Sequence, residues 1–146
     1  MEIVNFTTIE IDKFIEFIEN NISDLVFFNP HSMDYDSIFS ILTNKKNDKY
    51  KIVICEDRVI GYGILRGWDE GFEIPSLGIM VDKDFRGIGL SKTIMQFLES
   101  SAKLMKSKKI RIVVHKDNQV AYNLYKSLNY EFETYNQNQL ISFKKI

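Results

Sequence analysis

Residues 81–91 read Val-Asp-Lys-Asp-Phe-Arg-Gly-Ile-Gly-Leu-Ser and join an apolar, strand-like run to an amphipathic helical pattern. No other segment constrains the chain as strongly, because a strand and a helix must meet here through a glycine-containing turn. Such a turn is built to hold phosphate. The first amide N–H groups of a helix have no partner within it, and the helix dipole favours negative charge there. Gly87 and Gly89 carry no Cβ, so an anion can come close to the backbone. The glycines alone would be a weak signal; their place between Ser76–Val81 and a helix beginning near Gly87 gives it weight.

The rest of the chain has room for one core and little else. Its 146 residues suit a single domain over 1–146. A formal net charge of -1 gives no broad footprint for nucleic acid or an anionic membrane. No apolar run approaches the roughly 20 residues that a membrane helix needs. Met1-Glu2-Ile3-Val4 lacks a basic stretch followed by an apolar one, so no export signal is expected. The single cysteine excludes an internal disulfide framework. These features together predict a cytoplasmic protein.

Hydrophobic periodicity predicts strands over Glu2–Thr8, Tyr50–Glu56, Arg58–Arg66, Glu73–Val81, Lys108–His115, Tyr130–Tyr135 and Leu140–Lys144. It predicts helices over Ile9–Asn21, Tyr35–Lys45, Arg86–Ser107 and Asn118–Leu128. In the long helix, Leu90, Ile94, Phe97, Leu98, Ser101 and Met105 form one face. A tight turn near Asp57 makes a hairpin of the second and third strands. The order β-α-α-β-β-β-α-β-α-β-β has too few crossover units for a doubly wound sheet. The expected class is α/β (α+β): a mixed, twisted sheet flanked by helices.

At this point the chain resembles the GNAT acyltransferase superfamily, whose members transfer an acyl group from acyl-CoA to an amine. Residues 81–91 match the family's Arg/Gln-x-x-Gly-x-Gly/Ala signature at Arg86 and Gly89, with Ser91 where Gly or Ala is usual. Asn118 to Tyr130 looks like the family's Asn-x-x-Ala-x-x-Leu-Tyr-x-x-x-Gly-Phe segment, with Asn129 for Gly and Tyr130 for Phe. Asn tolerates the left-handed conformation that ends a helix, so that turn is preserved. The resemblance implies a mostly antiparallel sheet with a V-shaped opening between the strands at Glu73–Val81 and Lys108–His115. That opening would receive acetyl-CoA.

What the resemblance implies for individual residues follows. Amides around Arg86, Gly87, Ile88, Gly89, Leu90 and Ser91 hold the CoA pyrophosphate; the Arg86 side chain either touches phosphate or is solvated. Ile79, Met80 and Val81 offer main-chain groups to the pantetheine arm, and one N–H there polarises the thioester carbonyl. Gly78 either eases the splay or packs. Asn118 caps its helix and lies near the pantetheine. Tyr125 stands near the CoA sulfur and can protonate the departing thiolate. Glu73 is the first candidate for a general base, with Glu70, Asp69 and His31 behind it. The Ser76 hydroxyl could orient a water.

Specificity is expected from the loops. Trp68-Asp69-Glu70-Gly71-Phe72 sets carboxylates beside aromatics, and Phe27-Phe28-Asn29-Pro30-His31 faces it as the second substrate segment. That mixture tilts the reading toward a cationic or sugar-like amine, although Trp68 could instead plug the core. Cys55 reads as a buried small residue, and His115 lacks a companion at metal spacing. No metal is expected.

The predicted activity is direct acetyl transfer from acetyl-CoA to a primary amine of a small molecule or peptide, in a ternary complex. The alternatives are an acyl-CoA sensor without catalysis and a purely structural domain. Homodimers are common in the family, but no residue here marks a contact surface.

Overall fold

The computed structural model describes every residue from Met1 to Ile146. Seven strands form one sheet: β1 (Glu2–Asn5), β2 (Lys49–Cys55), β3 (Arg58–Arg66), β4 (Ser76–Val81), β5 (Lys109–His115), β6 (Glu133–Thr134) and β7 (Gln139–Lys145). Four helices cover it: α1 (Ile11–Asn20), α2 (Tyr35–Asn44), α3 (Leu90–Leu104) and α4 (Gln119–Ser127). Strand order is β1-β2-β3-β4-β5-β7-β6. Every neighbouring pair is antiparallel except β4 and β5.

Local chemistry accounts for these elements. Glu56 and Asp57, both at positive φ (48° and 67°), make the two-residue turn between β2 and β3, whose twist suits a hairpin. In α1, Ile11, Phe14, Phe17 and Ile18 are buried at helical spacing. With Ile38 of α2 they cover one sheet face, packing on Phe6, Tyr50, Ile52, Tyr62, Ile64 and Met80. On the other face, α3 and Tyr125 of α4 pack on Leu65, Leu77, Ile110, Ile112 and Val114. As the sequence predicted, Asn129 ends α4 at φ 70°. The Tyr130 N–H then turns back to donate to the Tyr125 carbonyl at 3.0 Å.

Two boundaries beside the central strands, one helix face and one added element differ from the sequence reading. β4 begins at Ser76, not Glu73, because Pro75 has no N–H to give a ladder. The long helix begins at Leu90: Gly87 and Gly89 sit at φ 81° and 85°, outside the right-handed helical region. Its buried stripe runs through Met95 and Ala102 and leaves Phe97 at the surface, 38% exposed. A short 3-10 helix over Ile22–Val26, unforeseen in the sequence, follows α1.

Candidate active site

The central break in the sheet lies between β4 and β5. These strands share one register pair, Ser76 with Arg111. The Arg111 N–H donates to the Pro75 carbonyl at 2.9 Å, and beyond that point the strands part. The pairing parity of β4 decides what the gap contains. The Asp82 N–H donates to the Ile60 carbonyl at 2.8 Å across β3. In an antiparallel ladder the hydrogen-bonded residues alternate. Met80 and Gly78 therefore turn their main-chain groups toward β3, while Ile79 and Val81 turn theirs toward the gap.

The gap opens into a cleft of about 1040 Å³. One end is the turn before α3. Gly89 is the N-cap residue of that helix, and the first helical bond runs from Thr93 N–H to the Gly89 carbonyl at 3.2 Å. The preceding amides thus lack helical acceptors. A Cβ built on Gly87 or Gly89 would meet nothing within 4 Å, so the backbone there faces open space. Arg86 braces this turn. Its Nε and Nη2 donate to the Val81 carbonyl at 3.2 and 3.1 Å, and Nη2 also pairs with Asp24. Buried Asp82 completes the brace. It accepts from Asp84 N–H and from Asn21 Nδ2, while Asn21 Oδ1 accepts from Lys83 N–H.

Tyr125 and Asn118 line the α4 side of the cleft. Asn118 caps α4, its Oδ1 accepting from Ala121 N–H at 3.3 Å. Tyr125 is 6% exposed, and burial pushes its phenol well above the usual value. It therefore keeps its proton throughout the physiological range.

At the other end, Phe28 lies over Gly78, where a Cβ would come within 2.9 Å of the ring. Gly78 is thus a packing glycine that lets this aromatic lie flat on the strand. His31 lies behind it: Nδ1 donates to the Ser32 carbonyl at 2.8 Å, so Nε2 accepts from the Tyr62 hydroxyl at 2.7 Å. Burial, partly offset by the Ser32 bond, lowers its pKa and favours the neutral ring.

A fold of this description with a Gly-turn at the helix start can be matched to known proteins. A family model described as the acetyltransferase (GNAT) family matches residues 15–130. The chain belongs to this GNAT family. No curated protein sequence matches it. Its fold is similar to that of a PaiA N-acetyltransferase from Thermoplasma acidophilum in complex with coenzyme A, with TM-score 0.85 at 14% identity over 99% of this chain and 98% of that one. A ribosomal-protein-alanine N-acetyltransferase from Brucella melitensis gives 0.81 at 18% identity over 100% of both chains. An acetyltransferase of the GNAT family from Streptococcus pneumoniae gives 0.80 at 14% identity over 99% of each. At such identities the likeness speaks for the fold.

Within this GNAT domain, the residues expected at the coenzyme end come together. Ile79, Met80, Val81, Arg86, Gly87, Gly89, Leu90, Ser91, Asn118 and Tyr125 all line one cleft, while Ile88 points outward at 62% exposure. The expected acceptor residues divide. Phe28 and Glu70 line the cleft, whereas Trp68 packs against the core on the α3–α4 face of the sheet. Asp69 is committed to the fold. Its carboxylate accepts from the N–H groups of Lys46, Asn47 and Asp48, while Asp48 accepts from those of Gly67 and Asp69. Burial pushes the Asp69 carboxyl up, but these amides outweigh it and hold it below the usual range. Glu73 is exposed on the approach to β4 and does not line the cleft. Sequence reasoning passed over Arg66 and Arg111, which do. Each occupies a strand position where a charged residue reads as solvent-facing. No cluster of three or more His, Cys, Asp or Glu groups is arranged for a metal, and no helix is long and apolar enough to cross a membrane.

Proposed function

We propose that this chain moves the acetyl group of acetyl-CoA to a primary amine of a small molecule or peptide, with both reactants held together in the cleft. The observation that carries this reading is the parting of β4 from β5 beyond Ser76, with the unobstructed turn at Gly87 and Gly89 at one end and the Tyr125 hydroxyl alongside. Acetyl-CoA fits the residues present: its pyrophosphate matches the open amides of Gly87–Ser91, and its extended arm matches the main-chain groups of Ile79 and the Val81 N–H, the Val81 carbonyl being held by Arg86. When bound, it supplies an acetyl group activated as a thioester.

The chain's own groups then position, polarise and exchange protons. A main-chain N–H on the gap side of β4 is the donor for the developing oxyanion. Only a neutral amine attacks, so the ammonium form must first give up a proton. Glu70, which lines the cleft, is our first candidate to receive it, directly or through water; Glu73, outside the cleft, is the second. As the carbon–nitrogen bond forms and the carbon–sulfur bond breaks, Tyr125 offers its hydroxyl hydrogen to the sulfur. Its burial-raised pKa confines Tyr125 to hydrogen bonding, and the sulfur takes up the second proton, which the nitrogen releases as the amide forms.

The test is direct. CoA should raise the melting temperature, since a ligand bound to the native state must stabilise it. Free thiol should be released from acetyl-CoA when amines are supplied. Binding without release for any amine would favour a sensor, and no thermal shift would overturn the reading altogether.

A further inference from the structure

The acceptor end of the cleft is crossed by a row of polar side chains from three adjacent strands. Arg66 on β3 pairs in register with Ser76 on β4, and Ser76 pairs in register with Arg111 on β5. Register partners point to the same face. All three line the cleft, on the face where Phe28 lies over Gly78.

Neither arginine is neutralised. No carboxylate forms an ion pair with Arg66 or Arg111. Asp48 attracts Arg66 from a distance, but its carboxylate accepts from Gly67 and Asp69 N–H. Arg66 Nη1 donates to the Pro30 carbonyl at 2.6 Å, its Cζ lies 6.0 Å from the Tyr50 ring centroid, and its Nε is buried with no acceptor. Arg111 donates to Ser76 Oγ at 2.9 Å and to the Tyr135 hydroxyl at 3.3 Å, and lies 5.5 Å from the Tyr135 ring centroid. Each guanidinium has five N–H donors, so these contacts orient both groups and leave donors to spare. The fixed forks match an oxyanion, and Glu70 supplies one negative charge at the same end.

We propose that the acceptor is an acidic amine: a primary amine whose body carries a carboxylate or phosphate held by Arg66 and Arg111, with its ammonium toward Glu70. This names the substrate class of the cleft and rests on the acetyl-transfer reading. It replaces the cationic or sugar-like amine expected from the 68–72 turn, because Asp69 in that turn is spent on backbone amides.

The experiment compares matched acceptors by thiol release: glycine, β-alanine and phenylalanine against their carboxamides, and phosphoethanolamine against ethanolamine. The acid members should exceed their uncharged partners about tenfold or more in kcat/KM, the scale of one charge-assisted hydrogen bond. Which pair shows the larger ratio separates carboxylate from phosphate. Arg66→Gln and Arg111→Gln should each pull the ratio toward one, Arg111→Lys should keep part of it, and Arg111→Glu should turn preference toward 1,4-diaminobutane. Equal rates for acid and uncharged partners, or a ratio that survives both Gln substitutions, overturns the proposal while acetyl transfer stands. If CoA binds but no amine releases thiol, melting temperature with CoA present decides. A larger shift from the acid members, lost in the Gln variants, supports the acidic-ligand site, and equal shifts overturn it. If CoA itself gives no shift, the acetyl-transfer reading is what has failed.

Discussion

The two sides of β4 make an instructive contrast. Toward β3 it forms six register pairs, from Ser76–Arg66 to Val81–Gly61. Toward β5 it forms one. The strand is the same on both sides, with the same side chains and the same twist; the neighbours differ, β3 running antiparallel and paired throughout, β5 parallel and parting beyond Ser76. On the paired side the backbone groups are spent on stability. On the parted side Arg86 takes the Val81 carbonyl, while the groups of Ile79 and the Val81 N–H stay available, which is tolerable only where water or a ligand reaches them, since a dry unpaired group costs about 1–3 kcal/mol. The lesson is that this cleft is made by withholding hydrogen bonds from the middle of a sheet, and that the side chains around it serve to keep it open.

The contrast can be broken most severely at the coenzyme end. Gly89→Val puts a β-branched residue at φ 85° and fills open space above the amides. CoA affinity should fall about 100-fold or more, as two charge-assisted bonds are lost, with the far-UV spectrum retained; titration calorimetry checks this, and unchanged affinity would move the pyrophosphate elsewhere. Next in size, Tyr125→Phe should lower turnover about 10- to 100-fold with CoA affinity near normal, the loss of a hydrogen bond made chiefly as sulfur departs. Stopped-flow thiol release measures it, and full activity removes Tyr125 from the mechanism.

A smaller change sharpens the comparison from the paired side. Gly78→Ala drives a methyl into Phe28 and Ile64 without touching any ladder bond. It should cost about 1–3 kcal/mol in urea unfolding, as overpacking does, and raise KM for the acceptor more than for acetyl-CoA. The least effect is expected at His31. Its folded pKa lies below the unfolded value, so the unfolded chain binds more protons as pH falls. The stability it contributes is full above about pH 6.5 and is lost as pH drops through that value toward the folded pKa. His31→Gln should flatten the stability profile between pH 7 and 5; an unchanged slope would refute the buried, neutral ring.

Much of this was legible in the chain. Alternation in Ile110, Ile112 and Val114, the spacing of Ile11, Phe14 and Ile18, and the punctuation at Asp57 and Asn129 are local signals, and the elements follow them. The coenzyme end was legible for the same reason: Arg86 to Ser91 is one continuous stretch whose glycines dictate its shape. The acceptor end was not. Arg66, Ser76 and Arg111 come from three strands, and their meeting depends on registers that no local window contains. The acidic turn at Asp69 misled because a carboxylate that caps Lys46, Asn47 and Asp48 looks, in sequence, like one that awaits a substrate. Phe97 was read inward because one aromatic at a face boundary can fall either way, and the stripe through Met95 and Ala102 took the core.

The outer margins of the sheet are short: β1 has four residues and β6 two. Beyond the two β6 pairs the outer margin of β7 is open over Ser142–Lys145, whereas the unpaired main chain between β4 and β5 is walled by Phe28 on one face and by α3 and α4 on the other. A broad polypeptide ribbon cannot enter such a slot, whereas a slender flexible arm can. The arrangement gives the protein a sticky interior seam without the aggregation hazard that the same seam would bring at its rim.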